Sequence, residues 1–347
     1  MSEALESKSI SISDAINQYL RMVERARSKP TMLSYKNALN IFCKMLEQKS
    51  LKPGNTPITE LHEDQFGKFV DYLNDYATAT EQLYLQAVKG FYLFLDSEKL
   101  TEVNQSRLTV LLRQRARRPG KSAPQYHISE IDTLLEKARD VQNLFVNNDD
   151  ENGAINVKLR AYRDRAFMFT LAETGFRVHE ACNLRRGDID WNEGRAIIIG
   201  KGNKQAVVRF TTYSMQVIKE YLSQRAELDG NSGKQLSSLP LFARHDKGAG
   251  KKVKPITPTT GRNIVKERVN QFLGKELAGK ITPHTFRHYF VTSTLRGTGN
   301  LAIAQRLARH ENIQVTNRYT QLTDEELDKA YYDVFEKDSK WKSKKGG

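Results

Sequence analysis

Residues 284–319 read HTFRHYFVTSTLRGTGNLAIAQRLARHENIQVTNRY, and the reading of the whole chain turns on them. His284 and Arg287 are three apart, so a helix puts them on one face. Phe286, Phe290 and Leu295 then point elsewhere, toward a core. Gly297 and Gly299 break that helix. A second amphipathic segment follows, with Ile303 and Leu307 stacked four apart, and ends near His310. A polar turn, Glu311-Asn312, leads to a last helical piece carrying Tyr319. These residue types suit phosphoester chemistry. Arginine grips the nonbridging oxygens of a phosphate bidentately. Imidazole moves protons or holds the phosphate. A tyrosine oxygen can act as a nucleophile and form a covalent intermediate. HxxR also occurs on plain solvated helix faces, and a late tyrosine commonly serves packing, so the stretch gains its meaning from the rest of the chain.

The chain has 347 residues, room for two domains. Hydrophobic residues make up 39% and charged residues 28%, in the range of globular proteins. Fifty-five Lys and Arg against 41 Asp and Glu give +14. That excess favours an anionic polymer, DNA or RNA first, over a merely basic surface. Cys43 and Cys182 lie far apart in apolar helical patterns, which fits a reduced, intracellular chain without disulfide or zinc site. The N-terminus has no basic start followed by an apolar run, so no signal peptide is expected. No apolar stretch approaches the ~20 residues of a membrane span. A cytoplasmic location follows, at the nucleoid if the source is prokaryotic. There is no internal repeat, Walker loop, HExxH or Cys/His cluster of metal spacing.

Residues 10–112 read as a small helical domain. Ser13 is a candidate cap for a helix with Ile16, Tyr19, Leu20 and Val23 on one face. Pro30 ends that helix or opens a second, marked by Tyr35, Ala38, Leu39, Phe42 and Leu46. Phe66, Phe69, Val70 and Leu73 mark a third, and Tyr84, Ala87, Val88, Phe91 and Leu95 a fourth. Residues 113–124 contain a basic run ending in Pro-Gly. They fit an interdomain linker whose Arg113, Arg115, Arg117, Arg118 and Lys121 meet a nucleic-acid backbone.

Residues 125–337 form the expected second domain, followed by a basic tail at 338–347. Ser129 signals its first helix, and residues 146–156 read as a polar loop. Ala166, Phe169, Thr170 and Ala172 suit a buried helix, Gly175 a turn, and Arg177 the start of the next helix with Glu180. Backbone donors converge on anions at such a helix start. The plain alternative is an Arg177–Glu180 surface pair of little energetic weight. Two β-branched runs, Ile197–Ile199 and Val207-Val208, flank Gly200-Lys201-Gly202-Asn203-Lys204 and read as a hairpin with Lys201 at its tip. An ammonium there can protonate a departing oxygen, although a solvated turn lysine is the commoner fate. A helix is expected over Met215–Leu228, then a Gly-containing loop with Lys251 and Lys252 as candidate phosphate contacts, then a helix capped by Thr259 or Thr260. Thr323 and Glu326 make a capping box for a short terminal helix.

Arg177 in TGFRVHE, Lys201 in GKGNK, His284 and Arg287 in HTFRH, His310 in LARH and Tyr319 in RYT follow one another in this order. Together they resemble the tyrosine recombinase (phage integrase) family, which includes Xer-type enzymes and Cre. The resemblance implies a mainly α fold with a small β-sheet. A SAM-like four-helix core-binding domain would precede a mixed α/β catalytic domain, the two forming a C-shaped clamp on DNA. It implies Tyr319 as nucleophile, Arg177 and Arg287 on the phosphate oxygens, Lys201 as general acid, His284 in proton movement, His310 on the phosphate, and Glu180 in support. Lys204 would be a further DNA contact. The implied enzyme is a site-specific recombinase that uses no metal or other cofactor. Four protomers on two double-stranded DNA duplexes with inverted half-sites would exchange strands through a Holliday junction. Arg309 is a departure: the family often has glycine there, and an arginine is expected to alter the turn or add a phosphate contact. No extra N-terminal DNA-binding module of the lambda-integrase kind is expected. Two rivals share parts of the pattern, a DNA-relaxing topoisomerase of the IB kind and a catalytically silent DNA-binding protein.

Overall fold

The computed structural model describes residues 10–117, 127–145, 151–199, 205–246, 248–250 and 252–309. The chain divides into two compact units, Met1–Ala123 and Pro124–Gly347. Each has its own core.

The first unit is helical. It contains α1 (Ile12–Ala26), α2 (Lys29–Gln48), α3 (Glu63–Tyr72), α4 (Thr78–Ser97) and α5 (Gln105–Arg115). Ser11, not Ser13, caps α1: its Oγ accepts the Asp14 N–H at 3.1 Å. Pro30 sits in the first turn of α2, where its missing N–H costs nothing. The expected stripes close one core in which Ile16, Tyr19, Leu39, Phe42, Phe66, Phe69, Val88, Phe91 and Leu95 are buried. Phe42 and Phe69 meet edge to face at 5.1 Å between centroids, a favoured aromatic geometry. Four helices were expected and α5 is a fifth. Its apolar side, buried Leu108 with partly buried Leu111 and Leu112, is diluted by arginines and so was hidden by the basic composition. Arg113 and Arg115, assigned to the linker, lie in its last turn.

The second unit opens with α6 (Ile128–Arg139) and α7 (Glu151–Thr174), followed by the short α8 (Val178–Asn183). Helix α6 begins before Ser129, and α7 reaches back into the segment expected to be loop. Once a buried helix such as α7, with Phe167, Met168 and Leu171 fully enclosed, is nucleated, each added residue gains a hydrogen bond. The sheet comprises β1 (Ile189–Asp190), β2 (Arg195–Ile199) and β3 (Gln205–Arg209). The strands are antiparallel in the order β1-β2-β3. Ile197 pairs with Val207 and Ile198 with Ala206, so the two runs expected to form a hairpin do pair. The short strand β1 was not anticipated.

The helix expected over Met215–Leu228 is two, α9 (Thr212–Gln224) and α10 (Ala226–Gly230). The joint, Arg225, is completely buried. Its guanidinium reaches Tyr221 Oη at 2.9 Å and the Leu241 and Pro240 carbonyls at 3.0 and 2.8 Å. These bonds fix the following segment, and Leu239, Leu241, Phe242 and Ala243 are core residues. Helix α11 (Pro258–Leu273) is capped by Thr257, whose Oγ1 accepts the Thr260 N–H at 3.1 Å. Thr259 and Thr260 are therefore inside the helix and not its cap.

Helix α12 (Pro283–Thr298) carries the HxxR pair, and α13 (Leu301–Ala308) follows. Gly297 lies within α12; Gly299, at φ 63°, is the residue that ends it. In α13 the buried face is Ala304 and Ala308, packed with Val291, Phe290 and Leu295 of α12. Ile303, expected inward, is 42% exposed. Small side chains let the two helices approach closely, which the larger Ile303 and Leu307 would prevent.

Candidate active site

Three segments of the second unit meet at the turn between α7 and α8. Gly175 makes that turn at φ 60°, and a Cβ there would lie 2.4 Å from Phe290 Cδ1, so only glycine fits without displacing α12. Arg177 is the N-cap residue of α8. Glu180, in the first turn, accepts the Arg177 backbone N–H on Oε2 at 2.8 Å and Arg177 Nη1 on Oε1 at 2.9 Å. The Arg177–Glu180 pair is present, but its carboxylate is almost fully enclosed, with 7% of the side chain exposed. It thus orients Arg177, whose own side chain stays accessible at 43%.

Helix α12 begins at a capping box formed by Thr282 and Thr285. His284, in the first turn, is exposed, while Arg287, one turn on and 3% exposed, turns inward, so the two do not present one common surface. Arg287 donates to the Gly175 carbonyl through Nη1 and to the Ala308 carbonyl through Nη2. It ties α12 to the α7–α8 turn and to the end of α13. Burial lowers the pKa of His284, and the positive charges of Arg287 and then Arg177 lower it further. Both causes favour the neutral imidazole, the form that can accept a proton. His288 packs against it edge to face at 4.3 Å.

Arg309, the C-cap of α13, completes the cluster. It adopts a left-handed backbone at φ 58° and ψ 44°. Its Nη2 donates to Glu180 Oε2 at 3.0 Å and to the Gly175 carbonyl at 3.2 Å. Its guanidinium lies over Phe176 at 5.1 Å. Burial alone would push the Glu180 carboxyl upward, but the Arg309 and Arg177 charges and the Arg177 hydrogen bonds outweigh it, so the pKa is lowered and the carboxylate stays ionised.

Arg177, Glu180, His284 and Arg287 are thus gathered at one place. Lys201, His310 and Tyr319 lie outside the described residues, as do Arg118, Lys121, Lys204 and Lys251. Arg113 and Lys252 are exposed. Arg115 pairs with Asp71 at 2.8 Å on the surface. Arg117, expected on DNA, is engaged within its own unit. Its Nε binds Glu81 at 2.6 Å, and the Glu81 side chain has no exposure at all. The Gly175 carbonyl, shared by Arg287 and Arg309, could not be anticipated, because every residue type carries a backbone carbonyl.

The described residues thus form a mainly helical chain with a three-stranded sheet and an arginine–histidine cluster at a helix start. The description "Phage integrase family" matches residues 139–326, and "Phage integrase, N-terminal SAM-like domain" matches residues 16–99. The chain belongs to the phage integrase family. It is 28% identical over 316 residues to Tyrosine recombinase XerC of Anoxybacillus flavithermus, covering 90% of this chain and 94% of that protein. It is likewise 28% identical to XerC of Pediococcus pentosaceus, over 92% of this chain and 95% of that one. Among solved structures, the fold matches the Tn1549 transposon integrase in complex with transposon right end DNA, with a TM-score of 0.65, 13% identity, and 94% and 100% coverage. It also matches the XerH site-specific recombinase bound to a palindromic difH substrate, with a TM-score of 0.63, 18% identity, and 94% and 98% coverage.

Proposed function

We propose that this protein is a site-specific DNA recombinase that cuts and rejoins duplex DNA through a covalent tyrosyl intermediate. The observation that carries the reading is the joining of Arg287 to the Gly175 turn across 112 residues of sequence, which brings Arg287 and His284 of α12 to Arg177. The phage integrase match and the XerC relatives support it. Neither rival draws a specific observation of its own.

In this mechanism Tyr319 Oη attacks the scissile phosphorus and the P–O5′ bond breaks. The products are a 3′-phosphotyrosyl linkage and a 5′-hydroxyl. Arg177 and Arg287 bind the nonbridging oxygens, and preorganised donors of this kind supply several kcal/mol of transition-state stabilisation, on the order of 3 kcal/mol each. Lys201 delivers a proton to the departing 5′ oxygen, His284 takes the tyrosine proton, and His310 hydrogen-bonds the phosphate. The phosphotyrosine conserves the energy of the broken bond, so attack by a new 5′-hydroxyl rejoins a strand without ATP. Four protomers on two duplexes with inverted half-sites perform the exchange in pairs through a Holliday junction.

The test begins with selection of bound duplexes from a random pool, followed by nicked suicide duplexes built on the selected site. The wild-type protein is expected to trap a covalent adduct, and Tyr319→Phe to bind DNA but trap none. Cleavage by Tyr319→Phe at the wild-type rate would assign the nucleophile elsewhere, with Tyr331 and Tyr332 next in line. Lys201→Ala should bind normally and cleave slowly, and a 5′-thiol leaving group should restore its rate. Relaxation of plasmid without any preferred site would favour the topoisomerase reading.

A further inference from the structure

Arg309 presents two unfavourable features at once. Its backbone is left-handed, a conformation that disfavours residues with a Cβ and is usually given to glycine at a helix C-terminus. Its guanidinium is enclosed, and Nε and Nη1 have no hydrogen-bond partner among the described residues. The cap N–H closes α13 on the Gln305 and Arg306 carbonyls, a task glycine performs without the strain. What the side chain does contact is specific. Nη2 joins Glu180, which holds Arg177, and the Gly175 carbonyl, which also receives Arg287. Arg287 further binds the carbonyl of Ala308, the residue next to Arg309. One cation is therefore bonded to both of the acceptors that position the two phosphate-facing arginines.

We propose that Arg309 is a positioning residue of the strand-cleavage site, bracing Glu180 and the Gly175 carbonyl so that Arg177 and Arg287 are held for the phosphate. The inference rests on the recombinase reading and deepens it. Phe176 backs the guanidinium at 5.1 Å and limits its movement. The charged groups facing Glu180 are Arg177 from its own helix and Arg309 from the end of α13, with Arg287 and His284 of α12 beyond Arg177. The charge of Arg309 acts on the carboxylate more strongly than that of Arg177, which adds its own hydrogen bonds.

The decisive variant is Arg309→Gly, because glycine takes this φ without strain and the fold is preserved. The measurements are thermal unfolding, titration of the ¹³C-labelled Glu180 carboxyl in the protein alone, and adduct formation on the nicked duplex over a range of DNA concentrations. The expected result is an unfolding midpoint unchanged or raised and a Glu180 carboxyl that titrates at higher pH. The saturating cleavage rate should fall about 10-fold to 100-fold, as for a small misplacement of reacting groups, with the half-saturating DNA concentration unchanged. The acid limb of the rate profile should move to higher pH, since Glu180 then loses its charge sooner as pH falls. Arg309→Lys, which keeps the charge without the planar fork, should restore the titration more fully than the rate. An unaltered Glu180 titration would overturn the proposal. So would a saturating rate within twofold of wild type, a loss confined to DNA affinity, or a rate loss that merely follows a lowered unfolding midpoint. Absence of any adduct from the wild-type protein, with the Glu180 shift present, would support the brace and overturn the recombinase reading instead.

Discussion

Arg117 shows how a residue expected at a nucleic-acid backbone can also hold its own fold together. In a run of arginines it reads as a phosphate contact, yet its guanidinium neutralises Glu81, whose side chain is fully enclosed, and also reaches the Tyr76 carbonyl. Its backbone N–H adds a further bond to Glu81 at 2.9 Å. Removing the guanidinium leaves a buried carboxylate with its main countercharge gone. Arg117→Ala is therefore expected to destabilise the first unit by about 2–3 kcal/mol, at the lower edge of broken buried pairs because Arg117 itself is 39% exposed. Chemical denaturation checks this. A variant with unchanged stability but weakened DNA binding would return Arg117 to the role first expected of it. Arg113, exposed in the last turn of α5, is the better candidate for a phosphate contact.

At the scale of elements, the segment after α10 carries the clearest pH signature. His245 is 4% exposed and its Nε2 lies 2.8 Å from Tyr221 Oη. Burial, and then the charges of Arg163, Arg225 and Arg160, push its pKa down to about 3 from an ordinary 6.5, with Asp246 opposing. Between those values the unfolded chain binds a proton that the folded chain refuses. Stability is therefore complete above pH 6.5 and is lost progressively as pH falls toward 3. The contribution is roughly 3–5 kcal/mol over that window. His245→Gln retains a polar partner for Tyr221 without titrating, so its stability is expected to fall less steeply with acidification in denaturant titrations run from pH 7 to pH 4. A parallel fall in both proteins would remove His245 as the cause.

For the whole molecule the governing quantities are charge and the presence of two separate cores. A chain at +14 facing a polyphosphate releases condensed counterions when it binds. If six or more phosphates are neutralised, affinity for a selected duplex should drop roughly 10³-fold or more between 50 and 200 mM salt. Fluorescence anisotropy across that range is the check, and a salt-insensitive affinity would contradict an interface dominated by phosphate contacts. Each unit buries its own aromatic and aliphatic cluster.

The order of residues was enough to give the helical stripes of the first unit, the β2–β3 hairpin, and Arg177, Glu180, His284 and Arg287 as candidates. Those features follow from local periodicity and residue chemistry, which act over a few neighbours and are visible in order along the chain. Packing in three dimensions supplied the rest. It added α5, whose few leucines stabilise a helix only when another surface covers them. It chose Ala304 and Ala308 over Ile303 as the buried face of α13, because the limit there is the distance between two helices. It gave Arg117 to Glu81 and made Arg309 the tie between Glu180 and Gly175. Which partner an arginine finds depends on groups that lie dozens to more than a hundred residues away in sequence and become neighbours only when the chain has folded.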